Sequence, residues 1–172
     1  MEFGKASNLY SLNKSTYVNL RWIAYIGQLI AILVVEFYLK FEFNYFICLL
    51  ILFFSILTNL FLHFKVKDNQ LKNNFLTLYL VFDILQIGIL IFFTGGITNP
   101  FIFLIIIPAV FSSQYLHFFS SIILVIIITI TCILLTFFYH DLPSPGELHF
   151  HAPDHYLYAI PLSLIIGLFF LV

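Results

Sequence analysis

The chain has 172 residues, of which 62% are hydrophobic, 20% aromatic and only 9% charged, and its formal net charge is −1. So few charges cannot clothe a water-soluble domain of this length, and the balance leaves no basic surface for nucleic acid. The chain is therefore a membrane protein, and its two cysteines, Cys48 and Cys132, fall within apolar runs where they read as packing residues rather than a disulfide framework.

In chain order, residues 1–19 read as a cytoplasmic amino-terminal segment and residues 20–172 as a six-span membrane domain. A crossing needs about 20 apolar residues. The first span is predicted over about 20–39, the second over about 44–64 and the third over about 75–94. Residues 101–139 then contain no Asp, Glu, Lys or Arg. At about 1.5 Å per residue this run is about twice too long for one crossing, so it must fold back on itself. Ser112-Ser113-Gln114-Tyr115-Leu116-His117 is its softest point, giving a fourth span over about 100–116 and a fifth over about 118–139. A sixth runs from about 156 to 172, and the fold class is an all-α bundle of six transmembrane helices. Lys5, Lys14, Arg21, Lys65, Lys67 and Lys72 fall on one side and only Lys40 on the other, which puts the N- and C-termini in the cytoplasm. No cleavable signal peptide is evident, and no basic cluster follows the last span, as expected of a chain that continues into a cytoplasmic part. Within the fourth span, Pro108 is the expected mid-span break.

Between the third and fourth spans stands Thr94-Gly95-Gly96-Ile97-Thr98-Asn99-Pro100-Phe101. Gly-Gly ends a helix and Asn-Pro starts one, so a tight polar elbow is expected here. On its own it reads either as a helix stop followed by an N-cap and a first-turn proline, or as that same turn holding a small planar ligand dissolved in lipid.

Leu20-Arg21-Trp22-Ile23-Ala24, with Gly27-Gln28-Leu29 and Val34-Val35, resembles the first span of RegB/PrrB-type redox-sensing histidine kinases. Phe82-Asp83-Ile84-Leu85-Gln86 resembles part of their third span, and Gly95-Gly96-Ile97-Thr98-Asn99-Pro100-Phe101 matches their G-G-x-x-N-P-F heptapeptide. Pro143-Ser144-Pro145-Gly146-Glu147 is similar to their outer loop before the last span. The resemblance implies a bacterial inner-membrane, multi-pass sensor domain that binds ubiquinone or menaquinone through the heptapeptide. It would signal to a C-terminal dimerising kinase and a cognate response regulator. It departs from the family by omission: no phospho-accepting His segment, nucleotide-binding domain or linker cysteine is found, so no enzymatic activity is expected of these residues.

A quinone has two carbonyl acceptors and a flat ring, so its site needs a donor or two and an apolar platform. Asn99 offers an amide, Thr94 and Thr98 hydroxyls, Gly95 and Gly96 close backbone approach, Pro100 a fixed entry into the next helix and Phe101 a ring. Glu36, in the same leaflet, reads either as a hydrogen-bond or proton partner of a bound quinone or as a solvated carboxylate. Deeper in the bundle, Gln28 and Asp83 each lie about 12 Å from the cytoplasmic ends of their helices and are expected to share a hydrogen bond, with Gln86 one turn further out. Asp83, Ile87, Leu90 and Thr94 make a stripe towards the elbow, serving either as a relay for ligand state or as an interhelical clamp. His149 and His151 in the last loop could chelate a metal, although a solvated loop is the plainer reading. A small transporter or channel is the competing class. It fits less well, because the main break is at the surface and too few polar residues exist to line a water path.

Overall fold

In a computed structural model, which describes residues 12–41, 43–140 and 154–171, the chain is almost wholly helical. The helices are α1 (Lys14–Leu33), α2 (Tyr45–Lys65), α3 (Asn73–Phe93), α4 (Ile107–Tyr115), α5 (Phe118–Phe137) and α6 (Asp154–Phe169). A π-helical turn, Val34–Tyr38, extends α1, and a 3-10 helix, Pro100–Ile106, leads into α4. Four helical stretches are long and apolar enough to cross a membrane: Lys14–Tyr38, Tyr45–Lys65, Asn73–Phe93 and Phe118–Phe137. The fourth and sixth expected spans are also helices, but shorter, Pro100–Tyr115 and His155–Phe169.

Helix is what such sequences must form in lipid, where every backbone polar group has to be bonded within the segment. Side chains finish the ends. Asn13 caps α1 by accepting from Ser15 N at 3.0 Å, and Asn44 caps α2 by accepting from Ile47 N at 3.3 Å. Lys14 Nζ donates to the Val66 carbonyl at 2.7 Å, placing a cation on the C-terminal end of α2. Along α5, the hydroxyls of Thr129, Thr131 and Thr136 each donate to a carbonyl four residues back, so they ride in an apolar helix without needing a neighbour.

α3 lies at the centre. Leu76, Leu80, Ile84 and Ile91 pack with Leu124, Ile128 and Leu135 of α5, Ala109 of α4 and Leu164 and Leu168 of α6. Gly88 lets α3 and α5 come close, for a Cβ there would lie 2.7 Å from Thr131 Cγ2. Large apolar side chains such as Phe53, Phe61, Phe119 and Phe137 point outward, as a lipid-facing surface requires.

The two ends of the bundle are tied differently. At one end a two-residue antiparallel ladder joins β1 (Leu12–Asn13) to β2 (Gln70–Leu71), with Leu12 opposite Leu71. Asn73 there accepts from His117 N at 2.9 Å and donates to Ser120 Oγ at 2.8 Å, so α3 and α5 start side by side. At the other end His140 N donates to the Phe92 carbonyl at 2.9 Å. α3 and α5 therefore run parallel.

Pro108, the expected mid-span break, lies near the middle of the Pro100–Tyr115 stretch, where the 3-10 helix passes into α-helix. It sits in the first turn of α4, where the preceding 3-10 helix already forgoes the regular bonding and the missing N–H costs little. Among the described residues, the proline inside an α-helix beyond its first turn is Pro161, in α6.

Candidate functional site

The elbow is built by backbone chemistry that only its own residues permit. Thr94 closes α3, and Gly95 and Gly96 follow with φ of 103° and 61°, the left-handed region that glycine enters without strain. A short 3-10 turn, Gly96–Thr98, leads to Asn99, whose Oδ1 accepts from Phe101 N at 2.8 Å with Pro100 at the first helical position. Asn99 Nδ2 reaches back to both the carbonyl and the hydroxyl of Thr94, each at 2.7 Å. Thr94 Oγ1 in turn donates to the Leu90 carbonyl at 2.8 Å, and Thr98 Oγ1 donates to the Gly95 carbonyl at 2.7 Å. All the side-chain donors expected to face a ligand are thus spent on holding the turn. What the elbow presents outward is Pro100 and the Phe101 ring, the latter 42% exposed.

Two residues that were not expected at the elbow, Tyr139 and His140, close on this turn. A Cβ at Gly96 would overlap Tyr139 Cβ and Cγ, so the tyrosine after α5 packs directly on the glycine backbone. His140 follows, its ring stacked on Phe93 (5.5 Å, 10° between planes) and edge-on to Phe92 at 5.3 Å.

In the other half of the bundle, α1 and α3 are cross-bonded by polar side chains. Arg21 Nη2 pairs with Asp83 Oδ1 at 2.8 Å and donates to Thr58 Oγ1 of α2 at 3.0 Å, while Tyr17 OH donates to Asp83 Oδ2 at 2.6 Å. The rings of Tyr17, Tyr25 and Tyr79 surround the guanidinium, their centroids 5.6, 5.5 and 5.2 Å from Arg21 Cζ. Arg21, counted among the cytoplasmic charges, is therefore buried and ion-paired. Two turns further along α1, Gln28 and Gln86 exchange amide hydrogen bonds at 2.9 and 3.5 Å. The expected Gln28–Asp83 bond is not formed, because Asp83 is taken up by Arg21 and Tyr17 and Gln86 is the residue level with Gln28. The signal for the cluster was present in the spacing. Tyr17, Arg21 and Tyr25 share one helical face, as do Tyr79 and Asp83.

Glu36 lies in the π-helical turn at the far end of α1, and its Oε2 is buried with no hydrogen-bond partner among the described residues. The wide turn is closed by Leu39 N donating to the Val34 carbonyl at 2.9 Å. Cys48 and Cys132 are free and buried. His149 and His151 lie outside the described residues, among which no group of three metal-ligating side chains occurs.

Over 157 residues, 91% of its length, the chain is 31% identical to the sensor histidine kinase RegB of Cereibacter sphaeroides. The resemblance to RegB-type sensors holds. The chain spans about a third of that relative's length, 34%, and the match falls in its N-terminal part. The RegB-like region includes the elbow and both polar layers between α1 and α3, and the similarity supports a sensor-kinase membrane domain. No protein-family profile and no solved structure matches the chain.

Proposed function

We propose that the chain is the quinone-binding sensory domain of a bacterial sensor histidine kinase, with a kinase module following it in the whole protein. It crosses the inner membrane six times with both termini in the cytoplasm, acts as a homodimer, and passes its signal to a response regulator through that module. Pro100–Tyr115 and His155–Phe169 serve as the fourth and sixth crossings.

The observation that carries this reading is the elbow, Gly95–Phe101, in a chain similar to RegB: a turn whose side-chain donors are all bonded within it, with an exposed phenylalanine. A turn braced by its own side chains keeps its shape whether or not a ligand is present, which suits a docking platform for ubiquinone or menaquinone. Asp83 and Gln86 lie on the one helix α3, which Thr94 closes, and α3 is cross-bonded to α1 at two levels. A ligand that displaces the elbow end of α3 therefore moves α1 with it, and the movement reaches the opposite face of the membrane.

The test is saturable binding of ubiquinone and menaquinone to the chain in lipid nanodiscs, with co-purified lipid analysed for quinone. Bound quinone in excess of that in protein-free nanodiscs supports the reading. Uptake equal to simple partition into those empty discs defeats it.

A further inference from the structure

A quinone at the elbow needs a hydrogen-bond donor, and the elbow has no side-chain donor left. Both hydrogens of the Asn99 amide go to Thr94, the Thr94 hydroxyl to Leu90 and the Thr98 hydroxyl to Gly95. Freeing any of them would undo the turn that makes the platform.

A side-chain donor has to come from what packs against the turn. The segment that does so is the end of α5: Tyr139 lies on Gly96 and His140 on Phe92 and Phe93, the two residues before Thr94. Among the described residues, neither side chain makes a hydrogen bond of its own. His140 is the better placed of the two. Its backbone N–H is anchored to the Phe92 carbonyl and its ring is held flat on Phe93, so the imidazole is oriented before any ligand arrives. The ring is nevertheless exposed, at the surface of the bundle rather than in its core. An imidazole has an N–H to give to a carbonyl oxygen, and aromatic rings beside it supply the flat apolar wall that a ring ligand stacks on.

We propose that His140 donates the hydrogen bond to a carbonyl oxygen of the quinone at the elbow, making it a ligand-binding residue supplied by the end of α5. The inference rests on the quinone-binding reading above. It changes the division of labour within that site: the heptapeptide shapes the platform and α5 provides the recognition. Ligand occupancy then links the end of α5 to the end of α3 through a third molecule.

The experiment uses the full chain in nanodiscs with decylubiquinone carrying ¹³C at its ring carbonyls, read by saturation binding and by the carbonyl stretching band. The wild type should bind saturably and show a carbonyl band shifted to lower frequency. His140→Phe keeps the stacked ring but removes the N–H, and should weaken binding about five- to tenfold while abolishing the shift. His140→Gln, which restores a donor without the imidazole, should recover part of both. Equal thermal unfolding midpoints establish that the variants are folded. A wild type that binds only as empty discs do overturns the quinone reading itself. Saturable binding with an unshifted band, or a His140→Phe variant that matches the wild type, overturns the assignment of His140 alone. So does a loss that follows Tyr139→Phe instead.

Discussion

Arg21 of α1 and Asp83 of α3 meet at 2.8 Å, with 4% and 14% of their side chains exposed. Each would be costly in a bilayer alone, and together they present no net charge to the hydrocarbon. Tyr17 and Thr58 take up further hydrogen-bonding capacity, and three tyrosine rings shield the guanidinium.

Breaking that pair from one side should therefore cost more than removing it whole. Asp83→Asn is expected to destabilise the bundle by about 3–5 kcal/mol, because Arg21 is left buried without its counter-charge. The double variant Arg21→Met with Asp83→Leu should recover most of the loss. Chemical unfolding in detergent measures both, and a double variant no more stable than Asp83→Asn would show that the ion pair itself is not what Arg21 contributes.

The second polar layer is weaker. Gln28→Leu and Gln86→Leu should each lower stability by about 0.6–2 kcal/mol, the range of interhelical hydrogen bonds in membranes. A double-mutant cycle should give a coupling of the same order for this pair. The same cycle between Gln28 and Asp83 should give a much smaller one, and a reversal of that order would contradict the observed pairing.

Gly96→Ala meets two obstacles, a left-handed φ and the Tyr139 side chain, and should cost about 1–3 kcal/mol. Hydrogen exchange should quicken at the elbow amides before it does in α2. Gly27→Ala is the control, since nothing lies within 4 Å of its added Cβ; its effect should stay within about 1 kcal/mol and favour the helix.

Asn99→Ala removes the cap of the Pro100–Ile106 helix and the tie back to Thr94, for an expected loss of about 0.5–2 kcal/mol. The bundle should remain folded, with faster exchange at Phe101 N. Unaltered protection of that amide would mean that Pro100 alone sets the helix entry.

What could be read from the sequence was whatever depends on neighbours in the chain. Glycines at Gly95 and Gly96, an Asn-Pro step and runs of apolar residues carry their meaning locally, and the elbow and helices follow from them. The pairing of α1 with α3 depends instead on how far each helix is offset from the other. Counting rise from the helix ends put Gln28 level with Asp83, whereas the offset sets it against Gln86. Arg21 was hidden by a habit of its residue type, since an arginine near a helix end commonly reaches for the interface. The π-helical turn at Val34–Tyr38 has no signal in residue type, and the roles of Tyr139 and His140 arise only when α5 returns to the end of α3.

The seven-residue 3-10 stretch Pro100–Ile106 also governs reach. A 3-10 helix rises about 2.0 Å per residue against about 1.5 Å in an α-helix, so these residues extend about 3.5 Å further than the same residues would in α form. That extra length brings the short Pro100–Tyr115 segment nearer to the roughly 30 Å thickness of the hydrocarbon layer. It also stores a stroke: rewinding the stretch into α-helix would draw Tyr115 towards Asn99 by about the same 3.5 Å, with no residue leaving the helix.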